Sequence, residues 1–393
     1  MTLGQNFRAA VAIVLVTTVA CPPALALLTL NDSHDHLFVT GTFGVSRDSN
    51  VFANRDSQGD YVYSSGILAE YTRRAGWIGL NASVAVNASR YGKVKGENFD
   101  NPTYYLELTK KTGRTQGSIT LNAARENHAD SAANLRSQSW NYALGLNFSY
   151  PIVNRLKLAG GLGYSARKYV ENVTLANLST YTANADLFYL LSGERDLVAG
   201  YRYRYSETTR STSTTDHGLT AGLSGLLFAG IEGSLRAGYQ IRVPHGAGRT
   251  DPTFRSFTAS GATSYAINRK LTLGGQISKD FSTTSTDTSV DNTSATLTAK
   301  YAYNRKWSAA ASAGWGDSRF LGESGRIVVA LGPPPVLGPN RHDNFATWDA
   351  NVTYAPSERL TVSFSYSWFE NWSTLGYADF IRTNWGATLS SHW

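Results

Sequence analysis

The sequence predicts an all-β protein, a transmembrane antiparallel β-barrel of about 18 strands with short periplasmic turns and long extracellular loops. Three observations support this fold. Apolar and polar residues alternate along many stretches, the connections between these stretches are alternately short and long, and an export signal precedes them. Successive side chains of a β-strand point to opposite faces, so each stretch has one apolar and one polar face.

The export signal occupies the N-terminus. Arg8 precedes an apolar run at 9–20 that is too short to span a bilayer, and Ala24 and Ala26 are small residues suited to cleavage. We therefore expect a secretory signal peptide at 1–26.

The mature chain then divides into a periplasmic segment at 27–36 and a barrel at 37–393. The alternative is a lipidated N-terminus at Cys21, but Thr18 is a poor residue three positions before such a cysteine. Cys21 is the single cysteine of the 393 residues, so cleavage after Ala26 leaves a mature chain without thiols or disulfides.

Eighteen stretches alternate clearly enough to be assigned as strands. Most have roughly 9 to 14 residues, longer than the strands of soluble sheets and long enough to cross a membrane when tilted. In chain order they are 37–45, 61–71, 77–89, 103–111, 116–125, 139–150, 156–167, 181–190, 197–205, 217–226, 234–243, 256–265, 271–279, 293–303, 307–316, 345–354, 360–368 and 380–393.

The connections alternate in length. Short, turn-like ones are 72–76, 112–115, 151–155, 192–196, 227–232, 267–270, 304–306 and 355–359. Longer polar ones are 46–60, 90–102, 126–138, 168–180, 206–216, 244–255, 280–292, 317–344 and 369–379. This layout is typical of outer-membrane barrels, with turns in the periplasm and loops outside, and it places both termini on the periplasmic side.

The stretch WIGLNASVAVNAS, 77–89, shows why alternation alone does not identify the environment. Ile78 and Val84 share one face, and Asn81 and Ser83 lie on the other. A water-soluble sandwich alternates in the same way, with its apolar face turned to the core. Strand length, the export signal and aromatic residues near strand ends favour a membrane barrel, so we expect the apolar face to contact lipid and the polar face to line water.

The last strand carries a further signal. It ends the chain on Trp393, and Leu389 and Trp385 lie on the same face. A terminal aromatic residue on an alternating final strand resembles the signal by which the outer-membrane assembly machinery recognises barrel substrates. We therefore expect the barrel-assembly machinery as a partner during biogenesis and outer-membrane lipid as the surroundings of the finished protein.

The first two strands resemble a known family. GVSRDSNVF at 44–52 is followed by GDYVY at 59–63, an order that is similar to the N-terminal part of the β-barrel porin family associated with exopolysaccharide gene clusters in Gram-negative bacteria. The resemblance implies an outer-membrane barrel without catalytic residues. Asp48, Asn50 and Phe52 match the family's most recognisable motif, and we interpret them as an Asx-type turn that starts the first loop rather than as ligand-binding residues.

Ionisable residues on the predicted polar faces are the candidates for lining a pore. A ladder of basic residues on neighbouring strands would concentrate anions and give the pore selectivity. Alternatively, these residues pair with Asp186 and with the carboxylates opposite, and only keep the lumen wet. Both interpretations stay open. The candidates are Glu70, Glu107, Lys157, Asp186, Arg202, Arg204, Arg236, Lys300, Asp349 and Arg382.

A barrel of this size is wide enough to leave a water-filled channel. The longest predicted loop, 317–344, contains the apolar run RIVVALG and three consecutive prolines. Three roles stay open for this loop: a constriction folded into the pore, an external lid, or a contact for a partner.

The sequence offers little for covalent or metal chemistry. Asp216 and His217 are adjacent, so their side chains point to opposite faces of a strand and are poorly placed to act together as acid and base. His34 and His36 can share a face, but two ligands do not make a metal site. The net charge of +7 comes from scattered basic residues, which suits a membrane surface better than nucleic acid. We expect no enzyme activity, cofactor, metal or nucleic-acid partner.

The sequence therefore predicts a passive channel of the bacterial outer membrane, reached by signal-peptide-directed export. Its cargo would be hydrophilic solutes, including anionic ones, or an exported exopolysaccharide, moving by diffusion along small polar and arginine side chains. The alternative is a structural or adhesive barrel whose extracellular loops bind a partner while the lumen is plugged.

Overall fold

The structure is a computed structural model and describes residues 28–30, 34–74, 76–130, 135–170, 175–246, 251–330 and 336–393. The predicted signal peptide, 1–26, lies outside these residues. Within them, strands make up almost all of the secondary structure, and the helices are three short 3-10 turns. No helix in this part of the chain is long and apolar enough to cross a membrane.

Eighteen antiparallel strands form a closed barrel. They are β2 (Asp35–Asp48), β3 (Asp60–Arg73), β4 (Gly79–Tyr91), β5 (Phe99–Lys110), β6 (Gln116–Asp130), β7 (Leu135–Val153), β8 (Leu156–Val170), β9 (Leu178–Ser192), β10 (Arg195–Thr208), β11 (Thr212–Phe228), β12 (Ile231–Gly246), β13 (Phe254–Ala266), β14 (Leu271–Thr283), β15 (Ser289–Ala302), β16 (Trp307–Phe320), β19 (His342–Tyr354), β20 (Leu360–Ser373) and β21 (Phe380–His392). Consecutive barrel strands pair with each other, and β21 pairs with β2, with Thr40 opposite His392. This last pairing closes the barrel and confirms the predicted fold class and strand number.

Three strands lie outside the barrel wall. β1 (Leu28–Leu30) pairs with the first residues of β2. It lies on the same edge of β2 as β21, whose pairing with β2 begins only at Thr40. β17 (Arg326–Ala330) and β18 (Val336–Asn340) form a separate two-stranded sheet. The 3-10 turns are Lys95–Glu97, Glu323–Gly325 and Gly376–Ala378.

The barrel strands are longer than the sequence predicts, at 12 to 19 residues. Most of the additional residues come from the predicted long loops: β11 begins at Thr212, inside the predicted loop 206–216, and β7 begins at Leu135, inside 126–138. The backbone ladder does not require apolar side chains. Strands rich in serine, threonine and asparagine therefore continue beyond the apolar part of the wall.

Contacts across the barrel identify the lumen face. Arg202 on β10 donates a hydrogen bond to Asp280 on β14, although β11, β12 and β13 lie between them in the sheet. Such a contact passes through the interior, so Arg202 and its cross-strand partners point inward. The register carries this face around the wall through the pairs Arg202↔Asn184, Asn184↔Gly161, Gly161↔Asn147, Asn147↔Ser118, Ser118↔Thr109 and Thr109↔Gly79.

This register confirms the predicted sidedness of β4. Gly79 faces the lumen, so Asn81, Ser83 and Asn87 face it too. Val84 faces outward, and 49% of its surface is exposed. The small polar residues of the stretch therefore line the interior, and the apolar residues form the outer surface.

Both faces of the wall are exposed at mid-height. Phe148 is exposed on the outer face, and its neighbour Asn147 is exposed on the inner face. Asn122 and Asn184 face inward on nearby strands and are exposed as well. A sandwich or a filled barrel buries one of its two faces. The lumen is therefore hollow at this height.

An outward substitution should destabilise the barrel in a bilayer far more than an inward one. We expect Val84→Arg to lower the free energy of unfolding by about 2 to 4 kcal/mol, because the arginine must enter hydrocarbon. The matched variant Ser83→Arg places the same side chain in water and should change it little. Urea titration of both proteins in phospholipid vesicles measures the difference, and equal losses would contradict the sidedness.

Candidate functional site

The wall is interrupted in its distal half, the half opposite the chain termini. β13 and β14 pair only as far as Ala259↔Lys279, although β13 itself extends further in this direction. β14 nevertheless keeps its pairing with β15 to its own end. The hairpin formed by 280–291, here called hairpin A, has therefore separated from the strand that precedes it.

Hairpin A folds into the lumen. Phe281 and Asp291 pair with each other and share the face of Ile277, which points outward. Yet Phe281 is only 2% exposed and lies 5.3 Å from the guanidinium of Arg242, and Asp291 accepts a hydrogen bond from Ser256. Arg242 and Ser256 belong to the inner face of β12 and β13. An outward face can contact the inner face of neighbouring strands only if the hairpin lies inside the barrel.

Five charged side chains hold the base of hairpin A, and we call them the arginine cluster. Asp280 of the hairpin accepts hydrogen bonds from Arg202 at 2.6 Å and from Arg204 at 2.9 Å. Asp216 of the wall lies 2.6 Å from Arg204 and 2.6 Å from Arg242. The charges alternate along the cluster, and three positive groups face two negative ones. A buried charge is tolerated only when it is paired in this way.

The tip of hairpin A reaches the loops above β9 and β10. The carbonyl oxygen of Ser285 accepts a hydrogen bond from the backbone N–H of Ala176, at 2.8 Å. The carboxylate of Asp287 accepts one from the Thr208 hydroxyl, at 3.1 Å. Ala176 precedes β9, so the hairpin runs across the inner surface from β14 to β9. The side chains of its tip are buried accordingly.

The ends of β6 and β7, 125–130 and 135–138, fold inward in the same way, and we call these two segments hairpin B. β5 and β6 stop pairing beyond Ala124, while β6 and β7 continue together. Arg136 shares the register face of Tyr142, which points outward. Its guanidinium nevertheless donates a hydrogen bond to the Tyr91 hydroxyl at 2.7 Å, and Tyr91 lies on the inner face of β4. Hairpin B therefore also lies inside the wall.

Arg136 joins hairpin B to two loops. It donates a hydrogen bond to the carbonyl oxygen of Val51 at 3.0 Å and forms an ion pair with Glu97 at 3.1 Å. Its guanidinium also lies 5.8 Å from the ring of Phe99. Only 4% of the Arg136 side chain is exposed, so these contacts replace its hydration.

The first loop contains the turn that the sequence predicts at 48–52. The Asp48 carboxylate accepts the backbone N–H of Asn50 at 3.0 Å, and the Asn50 side chain accepts the N–H of Asn54 at 3.2 Å. Asp48 also pairs with Arg382 across the strands that close the barrel, at 2.5 Å. The motif is therefore a buried structural turn, as predicted.

The structure pairs several of the predicted lumen residues. Arg236 lies 2.8 Å from Asp186, and both Lys157 and Arg236 lie over the ring of Phe188, at 4.4 and 5.7 Å. Arg202 and Arg204 belong to the arginine cluster. A role of these residues in anion selectivity stays a prediction.

The other predicted candidates lie apart from this cluster. Asp349 accepts hydrogen bonds from Ser312 at 3.1 Å and Thr347 at 3.5 Å, and Lys300 lies on the inward face of β15. Trp385, Leu389 and Trp393 are exposed on the outer surface. The described residues include no group of three or more His, Cys, Asp or Glu side chains that can hold a metal ion.

The predicted long loop 317–344 contains the β17–β18 hairpin. The backbone N–H of Glu323 binds Asp251, and the N–H of Leu321 binds the carbonyl oxygen of Ser289. The described part of this loop thus contacts hairpin A and a neighbouring loop. Within the described residues, hairpins A and B enter the lumen, and the first loop packs against hairpin B through Val51. The sequence predicts all three only as external loops.

No family model matches the chain, and no curated protein matches it. Solved structures share the fold. The FrpB iron transporter from Neisseria meningitidis aligns with 85% of this chain and 61% of its own, with 11% identity and a TM-score of 0.50. OpdK and OccK2 from Pseudomonas aeruginosa, solved with vanillate and with glucuronate, align with 91% and 93% of this chain and 99% of theirs. Their TM-scores are 0.47 and 0.49, both at 12% identity. At such identities the similarity concerns the fold alone.

Removing the central carboxylate of the arginine cluster should destabilise the distal half. Asp216→Asn leaves Arg204 and Arg242 without their shared partner, and we expect a loss of about 3 to 5 kcal/mol in the free energy of unfolding. The control is Asp349→Asn, since an amide oxygen still accepts bonds from hydroxyl groups. Urea titration measures both, and a loss for Asp216→Asn no larger than the control's would show that the cluster does not hold the fold.

Proposed function

We propose that the protein is a passive channel of the bacterial outer membrane in which hairpins A and B set the size of the opening. The observation that carries this proposal is the wall exposed on both faces at mid-height. The inner face there is polar and can hold water. The outer face presents large apolar side chains such as Leu219, Leu297 and Ile67, which are 65 to 70% exposed. Lipid hydrocarbon would cover them.

The mechanism is diffusion without a covalent step. Solutes cross a wide, polar middle section and a narrower distal section, where the two hairpins occupy opposite sides of the lumen. The arginine cluster carries one excess positive charge at this narrowing. Charged walls raise the local concentration of ions of opposite sign, so we infer a preference for anionic solutes.

The second candidate is a structural or adhesive barrel whose loops bind a partner. Its support is the burial of the inner face in the distal half, where hairpins A and B and the first loop fill space that a wide pore would leave open. The same filling makes export of a bulky polysaccharide the less favoured cargo, because such a polymer needs a wide opening.

Shortening hairpin A should enlarge the pore. We expect replacement of 281–291 by a two-residue Asn-Gly turn, which keeps Asp280 opposite Asn292, to raise the single-channel conductance in planar bilayers, because the inserted chain no longer occupies the lumen. The control shortens the β17–β18 hairpin, because the described contacts of this loop with hairpin A come from Leu321 and Ser324, which precede β17. If the conductance steps scale with salt concentration but are no larger in the variant with the shortened hairpin A, hairpin A does not constrict the pore. An absence of steps in every variant would favour the plugged barrel.

A further inference from the structure

We propose that Asp280 is a resting ligand built into the channel. Its carboxylate occupies an anion site formed by Arg202 and Arg204, and a solute carboxylate can take its place and thereby release the base of hairpin A. This inference rests on the proposed channel function and assigns that channel a substrate class, small carboxylates.

The geometry at Asp280 is that of a bound carboxylate. One oxygen accepts a hydrogen bond from Arg202 at 2.6 Å, and the other accepts one from Arg204 at 2.9 Å. Arg204 also donates a longer bond, 3.4 Å, to the first oxygen. Two guanidinium groups arranged in this way bind any carboxylate of similar shape, because the contacts involve nothing but the charged group. A free carboxylate solute therefore has the groups needed to replace Asp280.

The site is open to the lumen at one end only. The side chains of Arg202 and Asp280 are 35% and 27% exposed. Asp216 and Arg242, at the other end of the arginine cluster, are each 1% exposed. A solute entering from the lumen can thus reach Asp280 but not Asp216. Exchange at the open end leaves the buried end of the cluster intact.

The charge balance of the arginine cluster favours replacement of Asp280 by another anion over an empty anion site. With Asp280 in place, three guanidinium groups face two carboxylates. Without it, the same three groups share Asp216 alone, and Arg204, whose side chain is 11% exposed, cannot recover full hydration. Like charges at close range in a poorly hydrated site raise the local potential and attract an anion. A carboxylate solute supplies the missing charge.

Exchange at Asp280 would loosen hairpin A because of where this residue lies. Asp280 directly follows Lys279, the last residue of β14 that pairs with β13. The other hydrogen bonds from the cluster to the hairpin run from Arg204 to the carbonyl oxygen of Phe281, and from Arg242 to the carbonyl oxygen of Ser282 and the hydroxyl of Thr283. They remain, so the hairpin is released at its base and not expelled. An attached carboxylate has an effective concentration on the order of millimolar, so a competing solute must reach that range.

The test compares potassium acetate with potassium chloride at equal ionic strength in planar bilayers. For the natural protein we expect the open probability to rise with acetate and to saturate. Asp280→Asn should be open without acetate, lose the acetate response and shift the reversal potential toward anions. Asp291→Asn removes a charge from the same hairpin, but Asp291 pairs with Lys279 rather than with the cluster, so this control should keep the natural response. Arg202→Gln should weaken the acetate response, and it replaces Asp280→Asn in the test if that variant does not fold.

Two results would overturn the inference while leaving the channel in place. One is a natural protein that conducts but gives the same open probability in acetate and chloride. The other is an Asp280→Asn variant that conducts and keeps the acetate response of the natural protein. Silence of all variants, including the one with the shortened hairpin A, would instead overturn the proposed channel itself.

Discussion

The distal half of the barrel depends on one interaction, the contact of Arg204 with two carboxylates. Asp216 belongs to the wall and Asp280 to hairpin A, and both lie within hydrogen-bond distance of the same guanidinium. The charges are largely removed from bulk water, so each requires its partner. Phe281 then packs beside Arg242, and the tip reaches Ala176. The inward position of hairpin A follows from this ionic contact.

The hollow middle and the narrowed end have different physical causes. A closed barrel satisfies its backbone hydrogen bonds in the wall, and 18 strands leave an interior too wide for side chains to fill. The narrowing therefore needs inserted chain. Hairpins A and B supply it by separating from β13 and β5, eight barrel strands apart and hence on roughly opposite sides. The strand pairing of the wall limits where a hairpin can separate from it. The arginine cluster and Arg136 determine where hairpins A and B bind inside the barrel.

The sequence was sufficient for the barrel and insufficient for its narrowing. The number of strands and the face that each strand turns inward follow from the two-residue alternation of apolar and polar residues and from the turn residues. Both are local patterns in the sequence. The docking of Asp280 on Arg202 joins strands that are distant in the sheet, and no local pattern records it. The sequence does contain one indication of the inserted hairpin. Lys279 and Asp291 carry charge on the strand face that would otherwise contact lipid. Such charges indicate that this face has left the outer surface.

The central claim, that hairpin A lies inside the barrel and reaches from β14 to β9, is tested most directly by a distance measurement. Spin labels at Asn177 and Thr286, in a chain without Cys21, report the separation between the β8–β9 loop and the tip of the hairpin by double electron–electron resonance in lipid. The backbone hydrogen bond from Ala176 to Ser285 predicts a short, narrow distribution. A hairpin that stayed in the wall would be six strand spacings away, roughly 29 Å. A distribution centred there would contradict the account.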